Sequence, residues 1–128
     1  MERKENKLLQ GIDTTIVRVS NIEAAKTWYQ DKLGLSSVWD NPTSRLVVLD
    51  AGGSTSITLW QTDKPITINK DIASYPIFRT PDAAALRQEL QNREVATGEV
   101  IQDDHVQYFF FYDPDGNVLE ACQGMSNE

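Results

Sequence analysis

Apolar and polar residues alternate near the start of the chain, and this alternation predicts a strand over residues 11–19. Neighbouring side chains of a strand point to opposite faces. One face carries Thr15, Val17 and Val19, and the other carries Thr14, Ile16 and Arg18. The apolar spacing then changes to that of a helix, which Ser20 or Asn21 can cap and which ends before Gly34. Further strands are predicted at Ser36–Asp40, Ser44–Asp50 and Thr55–Gln61.

A second series of elements follows residues 62–73, which lack a periodic pattern and which we interpret as a linker. It begins with a strand over residues 75–80. Thr80 is predicted to cap the next helix, with Pro81 at the first helical position, where a missing N–H leaves no hydrogen bond unmade. The remaining predicted elements are a helix at Ala83–Arg93, a weak strand near Val100, and strong strands at Val106–Tyr112 and Val118–Gln123.

The two series repeat each other in sequence at an offset of about 61 residues. The matching pairs include Arg18 with Arg79, Asn21 with Asp82, and Lys26 with Arg87. Their hairpins match as well, at Leu49–Gly53 and Tyr112–Gly116. Repetition over this length indicates one β-α-β-β-β module used twice. It predicts an α+β fold in which each helix lies behind one sheet and two concave sheets are paired.

Composition narrows the range of partners. The chain has 128 residues, of which 40% are hydrophobic and 24% charged, as in an ordinary globular domain. A net charge of -7 argues against nucleic acid and against an anionic membrane surface as partners. There is no apolar run as long as a membrane span and no apolar signal segment, and the single Cys122 cannot form an intrachain disulfide. We therefore expect a cytoplasmic protein.

Two motifs carry a resemblance to a known family. They are Trp-Tyr-Gln-Asp-Lys-Leu-Gly-Leu at 28–35 and Tyr-Asp-Pro-Asp-Gly-Asn-Val-Leu-Glu at 112–120, in order within the duplicated frame. This arrangement resembles the vicinal oxygen chelate superfamily of glyoxalases, bleomycin resistance proteins and extradiol dioxygenases. The resemblance implies one domain at 11–123, with modules 11–61 and 74–123 joined by the linker at 62–73. It also implies a small-molecule cavity and a homodimer, since members commonly dimerise and some build each cavity from two chains.

The resemblance also implies where a metal ion would bind. Enzymes of this family hold a divalent metal through a His or carboxylate near the start of each module's first strand and another on its last strand. The four positions fall on Thr14, Thr58, Tyr75 and Glu120. Only Glu120 is a competent ligand, because a neutral hydroxyl or phenol is a poor substitute for imidazole nitrogen or carboxylate oxygen. We therefore expect no metal ion and no other cofactor.

The sheet face opposite the helices is the expected cavity face, and it supplies the candidate ligand contacts. They are Thr14, Arg18, Thr58, Trp60, Tyr75 and Arg79. The two arginines could bind a carboxylate, phosphonate or phenolate through their paired N–H groups, or form weak ion pairs at strand ends. The rings of Trp60 and Tyr75 could stack on a planar ligand or fill the core. Such a lining is typical of a small-molecule pocket.

Glu120 is the candidate catalytic residue. A carboxylate in an apolar cavity can have a raised pKa, which suits proton transfer; alternatively, it is a former ligand position held by Tyr75 or Arg79. His105, the only histidine, lies beside two acidic residues and could belong to a loop metal site or be an ordinary solvated histidine. Cys122 has no activating partner in the sequence and is interpreted as small buried packing.

These residues leave the function class open. The first interpretation is a metal-free binding protein, similar to the bleomycin resistance members, with a small organic ligand that is aromatic or acidic. The alternative is a glyoxalase-like lyase or isomerase, or a dioxygenase, that is metal-dependent or uses Glu120 as its acid and base. A third interpretation is a structural or regulatory partner domain.

Overall fold

The computed structural model describes residues 8–124, and its first half forms one helix and one four-stranded sheet. The elements are β1 (Thr14–Val19), α1 (Ile22–Leu33), β2 (Ser36–Asn41), β3 (Leu46–Asp50) and β4 (Ser56–Gln61). The strand order is β1-β4-β3-β2, with β1 parallel to β4 and the other pairs antiparallel. This is the β-α-β-β-β module that the apolar pattern predicts.

The second half repeats the arrangement. Its elements are β5 (Ile77–Arg79), α2 (Ala83–Asn92), β6 (Ala96–Thr97), β7 (Ile101–Gln102), β8 (Val106–Tyr112) and β9 (Val118–Gly124). The order is β5-β9-β8-β6, β7 also pairs with β8, and β5 is parallel to β9. The predicted α+β fold of two modules is confirmed. The strand expected near Val100 is instead the two short strands β6 and β7, which both pair with β8.

Both helices begin at an Asn or Asp side chain, at equivalent points of the repeat. Asn21 and Asp82 each accept a hydrogen bond from the backbone amide three residues further on, both at 3.0 Å. The prediction that Thr80 caps α2 with Pro81 as its first residue is wrong. The side chain of Asp82 is the one that reaches a free amide of the first turn, so the helix starts after it. Gly34 ends α1 with φ of 73°, as predicted for a left-handed cap.

One continuous hydrophobic core joins both helices and both sheets. In β1 the predicted separation of faces is observed, since Val17 and Val19 are buried whereas Ile16 is 52% exposed. Burial of each large apolar side chain contributes about 2 kcal/mol, so the shared core couples the two modules. We call the sheet surface that faces away from the helices the open face of each sheet. Neither described helix has the length and apolar content needed to cross a bilayer.

The loop between β8 and β9, residues 113–117, is organised by one buried carboxylate. Asp113 accepts hydrogen bonds from the backbone amides of residues 115 and 117, at 3.0 and 2.9 Å. It also accepts a hydrogen bond of 2.7 Å from the hydroxyl of Tyr29 in α1. Burial raises the pKa of this hydroxyl well above its usual value, and the charge of Asp113 adds to the shift. We call residues 113–117 the second hairpin loop; its carboxylate both shapes the loop and joins the modules.

The second hairpin loop makes two more contacts with the first module. Asp115 accepts a hydrogen bond from the amide of Ser20 at 3.0 Å. The side-chain amide of Asn117 donates to the carbonyl of Arg18 at 2.9 Å and to Asp113 at 2.9 Å. The loop therefore lies against both the end of β1 and the start of α1, and it fixes the position of one sheet relative to the other.

The corresponding loop of the first module, residues 51–55, makes no such connection that the structure describes. We call it the first hairpin loop. The repeat aligns Asp50 with Asp113, but Asp50 is exposed and accepts a hydrogen bond from Gly52 in its own loop at 2.8 Å. The residue aligned with Tyr29 is Leu90, which cannot donate. A cleft of about 790 Å³ lies between this loop and residues 76–81.

Candidate functional site

Two threonine hydroxyls meet on the open face of the first sheet. The parallel pairing of β1 with β4 sets Ile16 opposite Thr58 and brings Thr14 to the same face one step away. The Thr14 and Thr58 hydroxyl oxygens are 2.8 Å apart and hydrogen-bonded, and Thr58 is only 8% exposed. The two residues expected at the first module's metal-ligand positions are therefore adjacent, as the register predicts, and each satisfies the other.

Arg18 and Trp60 form a second pair on this face. The guanidinium carbon of Arg18 lies 4.4 Å from the centre of a Trp60 ring. Its Nε and Nη2 donate to the carbonyls of Trp60 and Gln61, both at 3.1 Å. The indole N–H of Trp60 donates to the carbonyl of Ser44 at 3.1 Å. Two of the N–H groups of Arg18 are thus used within the sheet. The Trp60 ring is held in place by these contacts and remains 37% exposed.

Glu120 lies on the open face of the second sheet, in the strand between β5 and β8. Its neighbours across the sheet are Ile77 and Phe110, and the side chain is 8% exposed. Burial raises the pKa of Glu120, while a hydrogen bond from Tyr75 acts in the opposite direction. Burial also raises the pKa of Tyr75, and the charge of Glu120 adds to this shift. Tyr75 precedes β5 by two residues and lies outside the strand in which it was predicted.

Aromatic side chains lie on the same face as this carboxylate, and two of them were not identified from the sequence. The ring centre of Phe110 lies 5.8 Å from that of Tyr75 and 5.9 Å from that of Tyr108, both edge-to-face. Strict alternation in β8 was the available signal. It buries Phe109 and Phe111 in the core and leaves the residues between and before them on the open face. The triple-Phe run is therefore divided between core and site.

The remaining predicted site residue of the second module, Arg79, takes a peripheral position. Arg79 is exposed, lies opposite Cys122 in the sheet register, and lines a cleft of about 350 Å³ together with Lys32 and Arg93. This cleft lies where the modules meet and does not include Glu120. Cys122 is half-buried, and burial raises the pKa of its thiol, so the thiol favours its unreactive protonated form.

One of the acidic residues next to His105 forms hydrogen bonds to the backbone. Asp103 accepts hydrogen bonds from the amides of His105 and Val106, at 2.7 and 2.9 Å, and these bonds lower the pKa of Asp103. The carboxylate thereby shapes the turn before β8. His105 itself is exposed. Of the two hypotheses for this histidine, the geometry favours an ordinary solvated side chain.

The donor set does not fit the divalent metal of the family's enzymes. The four equivalent positions provide two hydroxyls bonded to each other, one phenol and one carboxylate. A transition metal in a protein needs several imidazole nitrogens or charged oxygens. Within residues 8–124, no group of three or more His, Cys, Asp or Glu side chains is close enough to hold a metal ion.

Solved structures of other proteins have the same fold. TnmS3, an antibiotic binding protein from Streptomyces sp. CB03234, is 26% identical with a TM-score of 0.74, over 93% of this chain and 99% of that chain. A superfamily member from Sphaerobacter thermophilus is 22% identical with a TM-score of 0.76, over 91% and 98%. Lactoylglutathione lyase from Agrobacterium tumefaciens is 18% identical with a TM-score of 0.71, over 91% and 96%. No curated protein matches the sequence.

The family is settled by a sequence match. Residues 11–121 match the model of the Glyoxalase/Bleomycin resistance protein/Dioxygenase superfamily. This match spans both modules, and the two-sheet architecture agrees with it. The chain belongs to the glyoxalase/bleomycin resistance protein/dioxygenase superfamily.

Proposed function

We propose that this protein binds a small organic molecule and does so without a metal ion. The observation that carries the proposal is the hydrogen bond between the hydroxyls of Thr14 and Thr58, at two of the four family ligand positions. Hydroxyls paired in this way offer a cation neither charged oxygen nor imidazole nitrogen. Glu120 alone is a weak basis for a metal site.

The proposed ligand contacts lie on the open faces of the two sheets. They are Thr14, Arg18, Thr58 and Trp60 on the first sheet, and Tyr75, Arg79 and Glu120 on or beside the second. Exposed rings and a few polar points suit a ligand with a planar or apolar body. An acidic ligand would depend on Arg79, because Arg18 is already bonded within the sheet. The 26% identity to TnmS3, an antibiotic binding protein, supports a binding role.

A homodimer is part of the same proposal. In the single chain, Ile16, Trp39 and Ile77 are 52%, 55% and 57% exposed on the open faces. Exposed apolar residues grouped on one surface are typical of an interaction site. We infer that the open faces of two copies meet and enclose the ligand between them, which would remove these side chains from water. Membership in a family whose members commonly dimerise supports this inference.

Native mass spectrometry on untagged, gently purified protein tests these points together. We expect the mass of a dimer, no stoichiometric transition metal, and a retained organic adduct. Trp60→Ala should lose the adduct, whereas Glu23→Gln, an exposed change on α1, should keep it. One transition metal ion per site would contradict the metal-free proposal, and a monomer without any adduct would contradict the dimer and the enclosed pocket.

A second candidate function is an acid–base enzyme that uses Glu120. The observation that favours it is the burial of Glu120, which raises the pKa of its carboxyl group and would let it exchange a proton nearer to neutral pH. Once a ligand is known, Glu120→Gln separates the two functions. Turnover that disappears while binding persists supports the enzyme; a bound ligand that is never altered by the unmodified protein supports the binding protein.

The domain limits and the location belong to the proposal as well. The domain at 11–123, with modules at 11–61 and 74–123 and a linker at 62–73, is supported by the division of strands between the two sheets. Limited proteolysis should cut first within the linker. A cytoplasmic location is supported by the ordinary composition and the single cysteine.

A further inference from the structure

The open face of the second sheet contains a carboxylate that has no cationic partner in the described part of the chain. Glu120 is 8% exposed and forms no ion pair with any residue from 8 to 124. Its polar neighbour is the neutral phenol of Tyr75. A buried carboxylate that is not paired costs free energy, so a ligand that supplies positive charge at this point would gain more than one that does not.

The groups around Glu120 are aromatic. Phe110 lies opposite Glu120 across the β8–β9 pair, and its ring contacts those of Tyr75 and Tyr108. Aromatic rings carry negative charge on their faces and attract cations, and alkylated ammonium groups bind in cages of such rings. The carboxylate and the three rings together provide the two components of such a cage.

Cations of the chain itself already bind the rings of these faces. The ammonium nitrogen of Lys70, in the linker, lies 4.5 Å from the ring centre of Tyr112, which is two residues from Phe110 on the same face of β8. On the first sheet, Arg18 lies 4.4 Å from the ring centre of Trp60. Aromatic rings on both faces therefore already take part in cation–π contacts, and Tyr112 does so next to the cluster around Glu120.

We propose that the ligand class of this site is an organic cation, a protonated or quaternary amine joined to an apolar body. This inference rests on the proposed small-molecule binding function and specifies its ligand. The charged nitrogen lies among Glu120, Tyr75, Phe110 and Tyr108, and the apolar part extends over the open face. An anionic ligand at this position would face the Glu120 carboxylate in a weakly hydrated environment, where repulsion between like charges is strong.

Three probes of similar size and different charge test the inference: phenethyltrimethylammonium, 2-phenylethanol and 3-phenylpropionate. Isothermal titration calorimetry on the full chain gives the three affinities. The cation should bind at least about tenfold more tightly than the alcohol and the acid. Glu120→Gln should weaken cation binding by about tenfold and leave alcohol binding unchanged. Glu23→Gln removes the same charge from an exposed position on α1 and should change none of the three.

A second variant addresses the rings. Phe110→Leu keeps an apolar side chain and the charge of Glu120, and should weaken cation binding by about fivefold. Tighter binding of the acid or the alcohol than of the cation would overturn the cation inference while supporting small-molecule binding. Failure of all three probes to bind at millimolar concentration would overturn the cation inference, whereas the proposed function is tested separately by the retained adduct in native mass spectrometry. Equal loss of cation affinity in Glu23→Gln and Glu120→Gln would attribute the effect to net charge and overturn the proposed site.

Discussion

The two hairpin loops occupy equivalent positions in the repeat and differ in what they contact. The second hairpin loop is organised around the buried Asp113, which binds Tyr29 of the other module. The first hairpin loop has an exposed Asp50 and leaves a cleft of about 790 Å³ beside residues 76–81. The comparison teaches that two copies of one module, with the same strand order and equivalent N-terminal helix caps, can divide two tasks. One loop holds the modules together, and the other leaves the junction open.

The largest expected effect comes from removing the carboxylate of the second hairpin loop. Asp113→Ala leaves the Tyr29 hydroxyl and the loop amides without their acceptor, so we expect a loss of about 3–4 kcal/mol in the free energy of unfolding. Asp50→Ala is the matched control and should cost less than about 1 kcal/mol. Urea unfolding measures both. Equal losses in the two variants would contradict the difference between the loops.

Removing the Tyr29 hydroxyl, which donates the hydrogen bond to Asp113, should have a smaller effect. Tyr29→Phe keeps the buried ring and removes the hydroxyl that reaches Asp113, so it should cost about 1–2 kcal/mol. A double-mutant cycle with Asp113→Asn should give a total loss below the sum of the two single losses, because the residues share one hydrogen bond. Strict additivity would mean that the contact does not stabilise the fold.

The helix caps should behave alike in the two modules. Asn21→Ala and Asp82→Ala each remove one acceptor from a free amide at 3.0 Å, and each should cost about 1 kcal/mol. Thermal or urea unfolding of both variants, with Thr80→Ala for comparison, gives the measurement. A larger loss for Thr80→Ala than for Asp82→Ala would restore the cap that the sequence predicts. Similar losses at the two caps would confine the asymmetry to the hairpin loops.

The smallest expected effect comes from replacing Glu120, and it is a gain in stability rather than a loss. Burial raises the pKa of this carboxyl group in the folded state, so the folded protein binds its proton more tightly than the unfolded chain does. Stability should therefore fall as pH rises from about 4.5 through the raised pKa, and remain lower above it. Glu120→Gln should remove this loss and raise the free energy of unfolding at pH 7 by up to about 1 kcal/mol.

The control for this prediction is Glu23→Gln, which should leave the pH profile unchanged. Below about pH 4 the Glu120→Gln variant and the unmodified protein should converge in stability. A loss of more than about 1 kcal/mol in Glu120→Gln at pH 7 would mean that the hydrogen bond from Tyr75 outweighs the cost of burial.

Features with a local cause could be predicted from the sequence. The alternation around Val17 predicts which face of β1 is buried, because strand periodicity is a property of neighbouring residues. The family resemblance places Thr14 and Thr58 at two metal-ligand positions of the first module and so implies that they lie close together, as the register of β1 and β4 shows. The cap of α2 could be read correctly only by giving the repeat priority, because Thr80 and Asp82 both have suitable side chains.

Features that join distant parts of the chain could not be predicted in this way. Tyr29 and Asp113 are 84 residues apart, and no pattern within either segment indicates the other. Arg18 was expected to be available to a ligand, but the adjacent strand presents Trp60 and two carbonyls that bind it. The ring cluster around Glu120 requires the register of β8 against β9, which only the folded pairing supplies.

The one-sided contact of the second hairpin loop also bears on the symmetry of the chain. Two identical half-length polypeptides related by a two-fold axis make each mutual contact twice or not at all. The bond from Tyr29 to Asp113 occurs once, since the aligned positions hold Leu90 and the exposed Asp50. Such a state requires two copies whose sequences can change independently, as the two halves of one polypeptide can. The single contact is therefore a stabilising arrangement that a symmetric pair of identical half-length chains could not form.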